Sequence, residues 1–171
     1  MAFLSQATLS LDLADEITKH AVNVCKSQGF KPISICVLDN AGAVIVQKRM
    51  DGCPAGAFDS FALAKARTCA RLHMSSRAFR SKYSDSNPEK FVQGISMISI
   101  VDDGLAPFPG GVLIRDHSSG AVLGAVGVSG AAGDEDEYVA LMGVKGCAAL
   151  ASATTEPAEH SCTTLKKEWY G

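Results

Sequence analysis

The segment ISICVLDNAGAVIVQKRM, Ile33 to Met50, restricts the fold more than any other part of the chain. Its two halves, Ile33 to Leu38 and Ala43 to Met50, are rich in β-branched residues, which suit a pleated surface. Between them stand Asp39, Asn40, Ala41 and Gly42, turn formers that end on a glycine able to take a positive φ. A link this short joins only antiparallel neighbours, because a parallel crossover needs about a dozen residues or more. The same logic holds for Val112 to Arg115 and Ala121 to Val128, joined by Asp116 to Gly120. Two such hairpins exclude a doubly wound parallel sheet and leave an antiparallel sheet with helices laid against it.

Helical spacing supplies the cover. Ser10 to about Ser27 has a serine N-cap, early acids at Asp12, Asp15 and Glu16, and a shared face of Leu13, Ile17, His20, Ala21 and Val24, with Gly29 as its stop. Phe58 to about Met74 reads as a second helix, with Phe58, Phe61, Ala62, Cys69 and Leu72 on one side and small residues elsewhere. Ser75 to Lys90, interrupted by Pro88, reads as short helical turns and loop. Met97 to Val101 reads as a short strand. Gly133 to about Ala151 reads as the last helix, with Val139, Met142, Gly146 and Leu150 as its inner stripe. Gly143 and Gly146 each cost that helix about 1 kcal/mol against alanine, which close packing would offset. Gly124 and Gly127 weaken their strand and require a bulge or a closely approaching backbone. The expected architecture is α+β: an antiparallel sheet of about five strands with flanking helices, in one domain over residues 1–151. The polar tail, 152–171, is expected to dock loosely or to extend toward a partner.

Composition sets the limits on function. A chain of 171 residues with 47% hydrophobic and 20% charged residues suits one globular domain. A net charge of -2 gives no general attraction to nucleic acid or anionic lipid. No apolar run reaches the roughly 18 residues that suggest a membrane span. The opening MAFLSQATLSLDLADE lacks a basic head and an apolar core, so a cytoplasmic protein with reduced thiols is expected. The six cysteines, Cys25, Cys36, Cys53, Cys69, Cys147 and Cys162, show no C-x-x-C spacing. His20, His73, His117 and His160 form no H-x₃₋₅-H pair, so no zinc motif is present.

The glycine-rich stretch GAVGVSGAAGDEDEYVALMG, Gly124 to Gly143, raises the question of a ligand site. Its G-x-x-G-x-x-G spacing matches neither a dinucleotide fingerprint nor a phosphate-binding P-loop. Ser129 is no nucleophile elbow, because Ala131 stands where the last glycine belongs. Asp134, Glu135, Asp136 and Glu137 open a helix, where exposed N–H groups favour negative charge; one of them can also face a pocket. In Pro107-Phe108-Pro109-Gly110-Gly111 two prolines stiffen a loop and two glycines leave its backbone accessible. A planar or anionic ligand, or simply a rigid turn, satisfies that pattern. Lys65 falls on the same face as Phe61 and Cys69 and must snorkel or meet an anion, with Asp51 or Asp59 as the nearest internal choice. His20, on an apolar stripe, is either a satisfied core histidine or an axial ligand to haem iron.

Taken together, ISICVLDNAGAVIVQKRMDG, ALAKARTCA, PFPGGVLIRD and GAVLGAVGVSGAAGDEDEYVA resemble the GlcG/HbpS-like family, which includes haem-binding HbpS proteins, GlcG, and the C-terminal domain of PduO-type corrinoid adenosyltransferases. The similarity runs from about Leu9 to Leu150. It implies a profilin-like fold, a homo-oligomer often built from dimers, and, in some members, affinity for haem or a related tetrapyrrole. It carries Asp51 and Gly52, Lys65 and Arg67, Pro109 to Gly111, and Gly127 to Gly130 as motif positions. The segment SSRAFRSKYSDSNPEKFVQG and the tail depart from the family pattern.

The leading expectation is an oligomeric protein holding haem or a related tetrapyrrole, with His20 as candidate iron ligand. Asp51, Lys65, Arg67, Phe108, Pro109, Gly110, Gly111, Gly127, Ser129 and Asp134 are its candidate contacts, and no residue is assigned a catalytic role. The alternative is an enzyme or auxiliary factor for a small carboxylic acid of the glycolate type. There Lys65 and the Gly110-Gly111 loop would take the carboxylate and an acid among residues 134–137 would move a proton. A structural oligomer without ligand is the third reading. The site supposes that residues 107–111 and 127–134 meet and leave a concavity.

Overall fold

The computed structural model describes residues 7–84, 87–102 and 104–166. The N-terminal residues 1–6, residues 85–86 of the departing segment, residue 103 and the last five of the tail lie outside them. The elements are α1 (Leu11–Gln28), β1 (Ser34–Asp39), β2 (Val44–Arg49), α2 (Ala57–Leu72), α3 (Ser76–Tyr83), α4 (Pro88–Ile100), β3 (Gly111–Arg115), β4 (Val122–Ser129), α5 (Gly133–Lys145), a short 3₁₀ turn (Ala148–Leu150) and β5 (Thr154–Glu156). The strands form one sheet in the order β2-β1-β4-β3-β5, every pairing antiparallel. This is the α+β architecture expected from the hairpins.

Helices cover both faces of the sheet. Ile33, Ile35 and Val37 join Val112, Ile114, Val126 and Val128 in one core with α1 and α5. The alternate residues, Cys36 and Leu38 with Leu113 and Ala125, pack on Ala62, Ala66, Cys69 and Ala70 of α2. That double burial explains why β1 is apolar at almost every position rather than at alternate ones. α1 begins as its sequence directs, with the Ser10 hydroxyl accepting from Leu13 N and Gly29 closing it in the left-handed region.

The glycines of β4 are there for α2. A Cβ on Gly127 would lie 2.0 Å from Ala62 O and 2.6 Å from Ala66 N, so the helix backbone rests directly on the strand. On Gly124 a Cβ would meet Leu38 O at 2.3 Å and Leu9 Cδ1 at 2.7 Å. The close approach demanded by these glycines is therefore real, and α2's small-residue face is its complement. The sequence reading of that face is corrected: Ala62, Lys65, Ala66 and Cys69 point inward, whereas Phe61 is exposed.

Three elements differ from expectation. Met97 to Val101 is no strand; it forms the end of α4 and its cap. Asn87 caps that helix, accepting from Glu89 N and Lys90 N, and Pro88 occupies its first turn, a start signal that outweighs the β-rich tail of the segment. α5 ends at Lys145, short of Ala151. The fifth strand comes from the tail: Thr154–Glu156 pairs with β3. Beyond it, Cys162 is buried, the His160 ring sits edge-on to Tyr138 at 4.8 Å, and Lys166 N donates to Gln28 Oε1 at 2.9 Å. The tail is docked rather than loose over these residues. All six cysteines are free and buried, and no helix among the described residues is long and apolar enough to cross a membrane.

If Gly127 exists to admit α2, Gly127→Ala should lower unfolding stability by about 1–3 kcal/mol through overpacking. Gly133→Ala, whose added carbon would sit 3.4 Å from Pro109, should change it by less than about 0.5 kcal/mol. Denaturant titration of both variants checks this; equal effects would show that the α2–β4 contact is not the constraint.

Candidate functional site

Lys65 lies on the sheet-facing side of α2, among alanines too small to fill the space beyond the end of β4. Its side chain crosses that end. Nζ donates to Val128 O at 2.8 Å, to Ser129 Oγ at 3.4 Å and to Asp136 Oδ2 at 2.9 Å. The two charged side chains are 4% and 3% exposed. Asp136 comes from the first turn of α5, on the opposite face of the sheet, and its second oxygen accepts from Ala131 N at 3.0 Å. Burial pushes the Asp136 carboxyl up to about 6, against the pull of Lys65 and of that N–H. The partner foreseen for Lys65 was Asp51 or Asp59; the actual partner is Asp136.

The Pro-Gly loop is shaped around this pair. Gly110 has φ +123°, and a Cβ there would lie 2.6 Å from Val128 O and 2.9 Å from Lys65 Nζ. A Cβ on Gly111 would lie 2.7 Å from Lys65 O and 2.8 Å from Cys69 Sγ. Gly111 N donates to Ser76 Oγ at 2.8 Å, and Val128 N donates to Gly110 O at 2.9 Å. Pro109 packs near Gly133. Residues 107–111 and 127–134 thus meet as expected, but the space between them is filled by Lys65 and Asp136. Lys65 has three protons and three acceptors, so the pair presents no unused group to a substrate.

The four acids divide their work. Arg77 of α3 places Nε 2.9 Å from both Glu137 oxygens and pairs through Nη2 with Asp134. Glu137 is fully buried, and desolvation raises its carboxyl although Arg77 opposes this. Glu135 accepts from Ala132 N at 3.1 Å and from Thr164 Oγ1 at 2.9 Å. The acidic run is therefore a set of four distinct intrachain contacts at a helix start. Arg77 was not singled out from the sequence, and Asp136 only as one of the four acids of which one could face a pocket; the surplus of buried-face charge on α2 and α5 was the available signal.

The remaining candidates lie elsewhere. Phe108 is exposed and borders a cavity of about 280 Å³ with Phe79, Tyr83, Phe91, Ile95 and Ile98. Asp51 borders a separate depression with Val22, Lys26 and Lys48. Arg67 is half-buried on α2, its charge acting on the Cys36 thiol. His20 is on the flank of α1 rather than its buried stripe, which consists of Ala14, Ile17, Thr18, Ala21, Val24, Cys25 and Gln28. Its ring lies over Gly146: a Cβ there would meet Cγ at 2.7 Å and Nδ1 at 2.8 Å. Nε2 stands 3.6 Å from Glu16 Oε1. Gly133 and Gly146 mark the two ends of α5, roughly 20 Å apart at 1.5 Å per residue. The Lys65–Asp136 cluster therefore sits at one end of α5 and the partly buried His20 at the other, with Asp51, Arg67 and Phe108 apart from both.

The chain matches the family model described as "Haem degrading protein HbpS-like" over residues 9–145 and belongs to that family. Among solved structures it resembles the haem complex of PduOC, with 20% identity, a TM-score of 0.71, and coverage of 83% of this chain and 96% of the other. It resembles the ORFY protein of Klebsiella pneumoniae at 20% identity and TM-score 0.71, covering 84% and 93%. A double mutant of HbpS from Streptomyces reticuli gives 25% identity and TM-score 0.68, covering 82% and 88%. No curated protein matches the chain significantly.

Removing one member of the buried pair should be asymmetric. Asp136→Asn leaves a buried ammonium without its counter-ion and should cost about 3–5 kcal/mol. Lys65→Met leaves a carboxyl already raised to about 6, which takes up a proton more readily once Lys65 is gone. In that variant the folded state holds more protons than the unfolded one, so its stability should fall as pH rises from about 5 to 8, by up to about 1.4 kcal/mol per unit. Chemical denaturation at both pH values checks the sign; a pH-independent deficit would contradict it.

Proposed function

We propose that the chain binds haem or a related tetrapyrrole at its surface, as an oligomer, with His20 as the iron ligand. The observation that carries this reading is the setting of His20 in a member of this family. Its side chain is 28% exposed, Nδ1 lies against the Gly146 notch, and Nε2 stands 3.6 Å from Glu16 Oε1, itself on a side chain 41% exposed. A partly exposed histidine held from behind on its Nδ1 side suits axial ligation through Nε2. The haem complex of a structural relative supports the ligand class. When bound, the tetrapyrrole iron supplies the redox or gas-binding chemistry; this chain's own part is to orient the ligand and limit water around it. The small-acid alternative is less well supported, because Lys65 and Asp134 are engaged by Asp136 and Arg77.

Oligomer formation is supported by α4. Phe91, Val92, Ile95 and Ile100 are all half-exposed or more, and Gly94 is the only residue of that helix that is buried. A helix this apolar that no described residue covers marks an interaction surface.

Hemin titration should give a saturable Soret shift, and His20→Ala should remove it or weaken binding on the order of tenfold or more, equivalent to about 1.4 kcal/mol. Weak, nonsaturable spectra from the wild type would end the tetrapyrrole reading; an unchanged variant would end only the ligand assignment. Light scattering should give a multiple of 17.8 kDa, and the double variant Phe91→Asp, Ile95→Asp should dissociate it. A monomeric wild type would refute the assembly.

A further inference from the structure

We infer that Glu16, His20 and Cys147 form a binding site for a divalent transition-metal ion of the zinc class. Their ligand atoms, one carboxylate oxygen, one imidazole nitrogen and one sulfur, all lie within 4.8 Å of one another. In a tetrahedral zinc site with bonds of about 2.0–2.3 Å, ligand atoms are roughly 3.5 Å apart. Side-chain movements of about 1 Å therefore bring the three into range. Glu16 and His20 are four residues apart on α1 and share a face. Cys147 follows the C-terminus of α5, so the site spans two elements packed together.

Gly146 is the independent observation. Its backbone has φ -70° and ψ -17°, a conformation open to any residue, so the turn itself does not call for glycine. What a side chain would meet is the His20 ring, at 2.7 and 2.8 Å. The glycine makes room for the imidazole immediately beside Cys147. The partial negative charge at the α5 C-terminus adds to a field that favours a cation.

The donor set narrows the ion. Thiolate and imidazole exclude magnesium and calcium and suit zinc or cobalt. The metal–sulfur bond forms as the Cys147 thiol proton leaves to solvent. Glu16 is 41% and His20 28% exposed on their side chains, so the fourth position faces water, as in sites that keep an open coordination place. The site shares His20 with the proposed haem ligation but does not depend on it; in that reading Glu16 only faces Nε2 and is no ligand, and Cys147 has no part.

The test is a titration of chelator-treated protein with cobalt(II), followed by competition with zinc. One ion per chain is expected, with a sulfur-to-cobalt charge-transfer band. Cys147→Ser should abolish that band, and Glu16→Gln, at an exposed position, should weaken binding on the order of 100-fold. Circular dichroism confirms that the variants are folded; should Cys147→Ser fail to fold, Glu16→Gln alone decides. Absence of the band in the wild type, or affinity unchanged in Glu16→Gln, would overturn the site. Hemin binding retained by Glu16→Gln keeps the two readings distinguishable.

Discussion

The buried contact between Lys65 and Asp136 is what the architecture around the sheet end is arranged for. Two helices on opposite faces cannot touch through a sheet; they meet only past its edge or its ends. Lys65 reaches past the end of β4 from α2, and Asp136 meets it from the start of α5. A buried ion pair is tolerable only when every proton and lone pair finds a partner. Val128 O, Ser129 Oγ and Ala131 N meet that condition. Gly110 and Gly111 are bare because the ammonium, its carbonyl neighbours and the Cys69 sulfur occupy the space their side chains would need. A motif that looks like a ligand cradle is thus an internal lock.

α5 then acts as a spacer between two chemically different ends. At its N-terminus the acids are consumed by Lys65, Arg77 and Thr164 together with the backbone N–H groups of Ala131 and Ala132. At its C-terminus the chain carries Gly146 and Cys147 against the His20 flank of α1. At the first end the acids and Lys65 are all engaged in intrachain hydrogen bonds. The second end keeps ligand atoms close together and partly open to water, which is where binding chemistry has room to act.

Much of the fold was legible because short links leave little choice. Asp39 to Gly42 and Asp116 to Gly120 dictate antiparallel neighbours whatever surrounds them, and the strands of both hairpins fall within a residue or so of expectation. The errors arose where local propensity met a stronger signal. Met97 to Val101 is rich in β-formers but continues a helix already started by Asn87 and Pro88. Thr154–Glu156 has only three residues, too few for a periodic pattern, and is a strand because the β3 edge was there to pair with. The cost of Gly127 announced a close backbone, but not whose.

For the site, residue types were readable and partners were not. The sequence alone determined that a lysine lies on the apolar face of a small-residue helix, that four acids open another, and that histidine and cysteine occur without a metal-binding spacing. These follow from periodicity and composition, which are local. Tertiary structure decided that Lys65 meets Asp136, 71 residues away, that the Pro-Gly loop closes over them, and that Cys147 comes to rest beside Glu16 and His20. Such pairings depend on which helix lies on which face of the sheet, and no local pattern carries that information.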